Sequence, residues 1–422
     1  MTIGIIGAGI TGLTAAYELT KKGHKVLVFE KEKEIGGLAQ TFGKPGWDWP
    51  LEIFFHHYFT GDKDLFSLLS DLNLSDKLFF KPVKTSVLTR GRIFPYDNLS
   101  DFLRFPYLSF FQKLHLGAGI FWLKTLPFFS SWEKYTAANF GPKLMGKAGW
   151  ETIWQPLMAG KFGPLWEKVA FFWLWSRIKV RSKNLAYLSG SSKTLIDALV
   201  KKISQKGKIF LETAVLSISQ KENKWLIKTK KDEYLCDKVI VAASLPAALN
   251  LVSPFLSQDK LKVYQNLESI SALNLVLRLK RKFLPDNTYW LNILEKDFPF
   301  IALVEQTNFI AEKYYHNEFI VYCGGYYPSD SEILTFNKQK VFNTFASSLR
   351  HISPSFDQFL IGFEVFSKPF AQPIIPPSYS NIKPNLEIVP GQLFWATANH
   401  IYPFDRGVNF SIKLGKEISL LI

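Results

Sequence analysis

The first thirty residues constrain this chain most. Thr2-Ile3-Gly4-Ile5-Ile6 is short and apolar and reads as a buried strand. Gly7-Ala8-Gly9-Ile10-Thr11-Gly12 follows at once and opens a helix from Leu13 to Lys22. Gly23 stops that helix, and Lys25 to Glu30 reads as a second, parallel strand. In such a turn Gly7 permits the tight bend, Gly9 lets a pyrophosphate approach the backbone, and Gly12 lets helix and strand pack closely. The helix then offers free N–H groups and the positive end of its dipole to phosphate. Glu30 ends the second strand, where a carboxylate binds both hydroxyls of an adenosine ribose and repels a 2′-phosphate. Strand, turn, helix, second strand and acid agree, so the unit predicts a dinucleotide site and disfavours NADP. A glycine turn that held no phosphate would need no acid.

Lys31 follows, then a second glycine pair, Gly36-Gly37, with Leu38 and Thr41 after it. With these the N-terminus resembles the FAD-dependent oxidoreductases that include amine oxidases, phytoene desaturases and protoporphyrinogen oxidases. The resemblance runs through three separated blocks, 1–60, 185–246 and 390–422, and implies FAD as the cofactor. In the middle block, Leu188-Ser189-Gly190-Ser191-Ser192 precedes a helix with Leu195, Leu199 and Ile203 at four-residue spacing. The resemblance implies that Val215 meets the adenine through its backbone and that Ala243 lies beside the cofactor. In the last block Gln392 to Thr397 reads as a strand, and the segment Ala398 to Gly407 leads into a helix from Val408 to Ile422. Here the resemblance implies that Asn399, Arg406, Gly407, Val408 and Asn409 complete the flavin site. Helix N–H groups would stabilise the negative charge that develops on reduction. Two positions depart from the family pattern. Leu38 stands where many members carry Arg, and Ala398-Asn399 replaces Gly-Asp, leaving a neutral amide for a ribityl hydroxyl.

The expected fold class is α/β. A Rossmann-type FAD-binding domain is built from discontinuous segments 1–80, 185–255 and 386–422. An α+β substrate domain of helices and antiparallel sheet, 81–184 and 256–385, is inserted into it. Asp62 to Leu72 reads as a helix, Ser86 to Tyr96 as a hairpin turning at Arg90-Gly91, and Tyr234 to Ala243 as one strand. Strands over 271–280, 319–324 and 362–367 suit a sheet flooring a substrate cavity.

Three residues are candidates for chemistry. His56 and His57 sit in an aromatic run, and as neighbours they point different ways, so no shared metal is expected. Lys161 lies in a Pro-Leu…Lys-Phe-Gly segment similar to one in bacterial protoporphyrinogen-oxidase-like proteins, where it would meet an anionic substrate or the flavin. Cys236 and Cys323 read as two buried free thiols. The net charge is +15, and 38 Phe and 12 Trp make the chain markedly aromatic. The aromatic, basic run from Asp101 to Trp175 reads as a peripheral membrane contact, a substrate tunnel or an ordinary helical core. Zinc spacing, helix-turn-helix and RNA-binding signatures are absent, which argues against a nucleic-acid partner. With neither a secretory signal nor an 18-residue apolar run, the expected location is cytoplasmic, extending to the inner face of the membrane. The sequence leaves oligomeric state open.

The expected function is a FAD-dependent oxidoreductase that takes a hydride from a C–C or C–N bond of a largely apolar or aromatic small molecule. Amine oxidation is disfavoured, because Gly407 stands where amine oxidases place an aromatic and a basic chain repels a cationic amine. Two alternatives stay open. One is a nonredox flavoenzyme resembling UDP-galactopyranose mutase, against which the scatter of nine Arg along the chain counts. The other is a flavin-binding protein without turnover.

Overall fold

The computed structural model describes all 422 residues. β1 (Thr2–Ile6), α1 (Ile10–Lys21) and β2 (Lys25–Phe29) form the expected unit, with β1 and β2 parallel from Thr2 opposite Lys25 to Ile6 opposite Phe29. On its other side β1 pairs in parallel with Lys238–Val241, which pairs in parallel with Leu393–Trp395. Gly207–Phe210 flanks β2 in parallel, and Glu387–Val389 closes the far edge antiparallel. Both faces are covered, so the inner strands are apolar beyond a leading Thr2, Lys25 or Lys238. Ile3, Ile5, Val26, Val28 and Ile240 pack under α1 and the helices Ser192–Ile203 and Val408–Leu420. Ile6, Val239, Val241 and Trp395 pack on the opposite face with Trp225 and Leu249. This is a Rossmann-type sheet assembled from distant segments.

The single strand expected over Tyr234 to Ala243 is two. Glu233–Cys236 belongs to a separate antiparallel sheet with Val215–Lys221 and Lys224–Thr229, and only Lys238–Val241 enters the main sheet. Asp237 marks the crossing, where its carboxylate accepts the Thr2 N–H at 2.7 Å. The main-sheet strand and Cys236 are buried on either side, and the charged pair Asp237-Lys238 is the mark that the break leaves in the sequence.

A second, seven-stranded sheet is ordered Leu360–Pro373, Ser269–Leu279, Phe319–Pro328, Ala302–Glu305, Thr288–Ile293, Lys84–Thr89, Arg92–Pro95. Its pairs are antiparallel except that Thr288–Ile293 runs parallel to Lys84–Thr89. The expectation of a purely antiparallel sheet is corrected there. The hairpin Lys84–Thr89/Arg92–Pro95 arrives from a remote part of the chain, so no short turn dictates its direction. It turns at Arg90 and Gly91, both at positive φ (51° and 70°), the pattern of a two-residue hairpin loop.

Helices between residues 99 and 180 pack around Phe105, Leu116, Trp132, Trp150, Phe171 and Trp173. The longest, Phe110–Thr125, starts with a capping box between Ser109 and Gln112. It buries Leu116, Gly119 and Leu123 but leaves Phe110, Phe111, Leu114 and Phe121 between 61% and 80% exposed. The aromatic run is therefore a core on one side and a bare apolar face on the other. No helix is long and apolar enough to cross a membrane. Both cysteines are buried and unpaired, as expected.

Candidate flavin site and substrate chamber

At the turn after β1, two glycines are obligatory for packing. Gly7 has φ +107°, and a Cβ on it would stand 2.3 Å from the Ala242 carbonyl oxygen. A Cβ on Gly12 would stand 2.1 Å from the Gly7 carbonyl oxygen. Gly9 differs, because a Cβ there meets nothing within 4 Å and points into open space. Ile10, Thr11 and Gly12 open α1, whose first turn has no side-chain cap, so its N–H groups are free for an anion. Glu30 is buried; its Oε2 accepts the Ala8 N–H at 2.8 Å and its Oε1 the Glu32 N–H at 3.0 Å. A carboxylate has about four acceptor sites, which leaves room for ribose hydroxyls.

Neighbouring segments close around this turn. The Gly36 N–H donates to the Ala8 carbonyl at 3.0 Å, and Gly9 bridges Gly36, so the second glycine loop lies against the first. The Thr213 N–H donates to the Glu30 carbonyl at 2.7 Å, which brings the strand beginning at Val215 alongside the acid. The Ala242 N–H donates to the Ile6 carbonyl at 2.8 Å, carrying Ala243 past the mouth of the turn. Gly37 and Leu38 form a short 3₁₀ turn, and Thr41 lines an open cleft of about 770 Å³ with Phe42, Trp47, Ile53 and Phe366. The Lys31 side chain lies at the surface, 3.6 Å from Glu32, and does not turn toward the site.

From the C-terminal side, Asn399 enters buried, and its Nδ2 has no partner while its backbone carbonyl accepts the Tyr379 hydroxyl at 2.8 Å. An unpaired buried donor costs about 1–3 kcal/mol, a loss that a ligand oxygen would recover. The terminal helix Val408–Leu420 follows Gly407 with no side-chain cap. Two side chains of this block are engaged within the protein. Asn409 turns its Oδ1 to the Leu65 N–H at 3.0 Å, satisfying the first turn of the helix Lys63–Asp71. Arg406 reaches the second sheet, donating to the Tyr326 hydroxyl at 2.7 Å and Gln372 Oε1 at 3.1 Å. Val408 is buried among the core side chains under the first sheet, so only its backbone is free for a ligand. Buried acid, open space over Gly9, two uncapped helices and an orphaned Asn399 amide together fit FAD.

His56 and His57 lie in the loop between Leu51–Glu52 and Tyr58–Phe59. His56 Nδ1 is 2.6 Å from the Phe54 carbonyl oxygen, and His57 Nδ1 is 3.3 Å from the Tyr289 hydroxyl. The two rings thus point to different partners, as adjacency predicts. Phe59, Trp290 and Tyr289 stand edge-on around His57 at 5.4, 5.6 and 6.0 Å. Lys161 ends the helix Gln155–Phe162, which a π turn over Trp150–Trp154 precedes. Its Nζ is 3.2 Å from Asp405 and lies over Trp173 at 4.6 Å, with Phe162 and Tyr326 at 5.4 Å each. Asp405 Oδ1 accepts from Gln372 Nε2 at 3.0 Å, which completes a buried chain from Lys161 through Asp405 and Gln372 to Arg406 and Tyr326. Sequence reasoning missed Asp405, Gln372 and Tyr326. Only Asp405, next to Arg406, gave a signal. It also missed the role of Glu52, a buried carboxylate that accepts from the Tyr187 hydroxyl at 2.6 Å and from Ser192 N–H and Oγ at 2.8 Å each.

A family model for flavin containing amine oxidoreductases matches residues 10–342. The chain belongs to that family. Members of that family are flavin-containing oxidoreductases, in keeping with the cradle around Gly9 and Glu30. Curated relatives match it locally. A 4,4'-diapophytoene desaturase of Staphylococcus haemolyticus is 45% identical over 51 residues, 12% of this chain and 10% of the desaturase. A 15-cis-phytoene desaturase of Synechococcus elongatus is 32% identical over 81 residues, 19% of this chain and 17% of its own. The chain therefore spans less than a fifth of the length of these relatives. Solved structures match throughout. A candidate protoporphyrinogen oxidase from Exiguobacterium has a TM-score of 0.80 at 15% identity, covering 99% of this chain and 98% of its own. A cyclohexylamine oxidase from Brevibacterium oxydans reaches 0.74 at 16% identity, with 99% and 98% covered. A reduced UDP-galactopyranose mutase reaches 0.77 at 15% identity, with 99% and 94% covered. At such identities the likeness shows the shared fold.

In this flavin amine oxidoreductase the imidazoles are neutral at neutral pH. Burial, reinforced by Arg177 and Arg181, pushes His57 down to about 3, and burial also lowers His56. They hold and orient rather than donate protons. Burial pushes Lys161 down to about 7, with Arg177 and Arg406 adding to it and Asp405 opposing. Between about pH 7 and about pH 10 the unfolded chain keeps a proton that folded Lys161 has released, so stability rises with pH across that window. Lys161→Met is expected to flatten this slope. Urea midpoints of both proteins at several pH values check it, and equal slopes would show that the ammonium stays charged.

Proposed function

We propose that the enzyme oxidises a largely apolar or aromatic small molecule, removing a hydride from one carbon and a proton from the neighbouring carbon or nitrogen. A C=C or C=N bond forms and two electrons leave the substrate. FAD, when bound, supplies the hydride acceptor, and oxygen, a quinone or another oxidant takes the electrons onward. The observation that carries this reading is the aromatic wall around a neutral imidazole: Phe55 edge-on to Trp290 at 4.9 Å, with Tyr289, Phe59 and His57 beside them. Such a wall excludes water and offers a flat ring or polyene a complementary surface. The desaturases among its relatives and the protoporphyrinogen oxidase candidate among its structural neighbours support the same substrate class. Purified protein is expected to absorb near about 370 and 450 nm, as oxidised flavin does. Anaerobic titration with protoporphyrinogen, and separately with phytoene-like polyenes, is expected to bleach those bands with one of the two. Bleaching by simple amines alone would overturn the proposal.

A second reading is favoured by one observation. Three of the nine arginines are involved: Arg406, from the C-terminal segment, joins Arg177 in acting on Lys161 and Asp405, and Arg181 stands four residues from Arg177. That is the equipment a sugar-nucleotide mutase needs. Conversion of a sugar nucleotide only after dithionite reduction would establish it over the oxidase reading.

The bare face of the helix Phe110–Thr125 extends the first reading to a membrane surface. Phe110, Phe111, Leu114 and Phe121 are exposed, in a chain of net charge +15. Such a face suits anionic lipid, from which an apolar substrate would enter. The protein is expected to sediment with phosphatidylserine-containing vesicles at low salt. Burying a Phe contributes about 1.5–3 kcal/mol, so F111S with F121S should weaken that binding at least about a hundredfold. Failure of the wild-type protein to sediment would sink the membrane contact.

A further inference from the structure

We infer that the charged cluster Lys161, Asp405 and Arg406 sets how readily the flavin is reduced, with Asp405 as the positioning residue that holds both cations at the start of the terminal helix. The inference deepens the flavoenzyme reading above and rests on it, because it takes the uncapped start of that helix to face the flavin.

One carboxylate joins three distant segments. Asp405 Oδ2 holds Lys161 Nζ at 3.2 Å, from the end of the helix Gln155–Phe162. Its Oδ1 accepts from Gln372 Nε2 at 3.0 Å, near the end of the strand Leu360–Pro373. The same Oδ1 accepts the Arg406 N–H at 2.9 Å, so the carboxylate also folds back on its own backbone. Arg406 donates to Gln372 Oε1 at 3.1 Å and to the Tyr326 hydroxyl at 2.7 Å, with its guanidinium 5.6 Å from the Tyr326 ring centre. Lys161 Nζ lies 5.4 Å from the same ring, so both cations meet at Tyr326. The Lys161 and Asp405 side chains are only 10% and 13% exposed.

This cluster stands next to the helix start. Gly407 follows Arg406 directly, and Val408 opens the helix. Asp405 is two residues before Gly407, so their Cα atoms lie within about 8 Å of each other. At about 10 Å and an effective dielectric of about 20, a unit charge changes an equilibrium roughly tenfold. Burial keeps salt from screening it. The cluster holds two cations against one carboxylate, and Arg177 adds to the positive side. A buried ion pair contributes little net stability, and a surplus cation beside it costs hydration. Surplus positive charge is favourable where negative charge develops, and reduction places negative charge on the flavin. The free N–H groups of the terminal helix act in the same direction. The segment has a second anchor, because the Tyr402 hydroxyl donates to Glu133. That bond can be removed without changing any charge, which separates position from charge.

The test uses the full-length holoenzyme. Flavin midpoint potentials are read against reference dyes at about pH 6, where Lys161, pushed down to about 7, holds its proton. Lys161→Met and Arg406→Gln each remove a positive charge. Each is expected to lower the potential, moving the oxidised-to-reduced ratio at a fixed dye potential about fivefold or more toward oxidised flavin. Asp405→Asn removes the negative charge at nearly constant size and is expected to move the ratio by a similar factor toward reduced flavin. Tyr402→Phe is expected to leave the ratio within about twofold of wild type. A merely structural role cannot give shifts whose sign follows the charge removed. Shifts of one sign in all charge variants overturn the inference, and so does an unchanged ratio in Lys161→Met and Arg406→Gln. A Tyr402→Phe shift as large as theirs overturns it too. Should Asp405→Asn lose its flavin, the other three variants decide. Flavin that binds but ignores the charge variants overturns the inference alone, whereas a wild-type protein that takes up no flavin overturns the flavoenzyme reading and the inference with it.

Discussion

Alanine in place of Gly9 is expected to strip FAD from the protein while leaving the fold standing. The two halves of that result come from one observation. A methyl group at position 9 meets no protein atom within 4 Å, so the apoprotein has nothing to rearrange. The backbone there, at φ −73°, is one that alanine adopts freely. Apoprotein stability should change by no more than about 1 kcal/mol, the scale of a helix N-cap change. The space the methyl enters is the approach to the free N–H groups of α1, where the pyrophosphate belongs. Forcing a methyl into an occupied contact costs about 1–3 kcal/mol, a loss of about five- to 150-fold in FAD affinity. Gly12→Ala is the contrasting case. Its methyl would stand 2.1 Å from a backbone oxygen that cannot swing aside, so stability and flavin are expected to fall together. Thermal midpoints of the apoproteins and FAD titrations by fluorescence quenching separate the two. If the Gly9 variant binds FAD as tightly as the wild type, the phosphates do not lie over that turn.

Glu52→Ala is expected to be the most destabilising single change outside the glycine turn, at about 3–5 kcal/mol. The carboxylate joins three pieces of the structure. It sits at the end of Leu51–Glu52 and accepts from Tyr187 in the strand Asn184–Leu188 and from Ser192 at the start of the helix Ser192–Ile203. Removing it leaves a phenol, a hydroxyl and a backbone N–H buried without an acceptor. Glu52→Gln keeps one acceptor oxygen but turns an amide donor toward the same hydroxyls, and should fall between the two. Urea midpoints measure the series. A loss under about 1 kcal/mol for the alanine variant would mean that water reaches these donors.

The parts of the site that were legible in the sequence are those whose chemistry is local. Gly7 to Gly12 and Glu30 lie within one strand–helix–strand unit, and glycine spacing there reports backbone geometry directly. Asn399 was legible as a departure from a pattern, and the structure adds that its amide is buried without a partner. What stayed hidden depends on pairings across the fold. Lys161 stood out, but Asp405, its partner, is 244 residues away, and nothing near Lys161 specifies a counter-charge. Arg177 and Arg181 are four residues apart and visible as a pair, whereas the approach of Arg406 to Lys161 and Asp405 is a property of packing that leaves no local spacing. The resemblance implies Asn409 and Arg406 at the cofactor, and neither side chain's partner within the protein can be read from the sequence. In the fold one side chain caps the helix Lys63–Asp71 and the other reaches Tyr326 and Gln372. Asp237 and Lys238 are a signal the single-strand reading passes over: two charges interrupt the apolar run where the chain changes sheets.

The interleaving of the first sheet sets a schedule for synthesis. β1 leaves the ribosome well before its inner neighbour, Lys238–Val241, and that strand in turn pairs with Leu393–Trp395. At about 5–20 residues per second the nascent glycine turn waits roughly twenty to eighty seconds for the last of these partners. Throughout that wait, one edge of β1 is open and apolar, a template for mispairing. Between those strands the ribosome delivers the whole seven-stranded sheet, which can mature on its own long-range pairings while the first sheet is incomplete. Newly made protein should therefore acquire its yellow colour only after Leu393–Trp395 has emerged. Free FAD and a chaperone that shields apolar strands should then raise the yield of active enzyme more than any later refolding step.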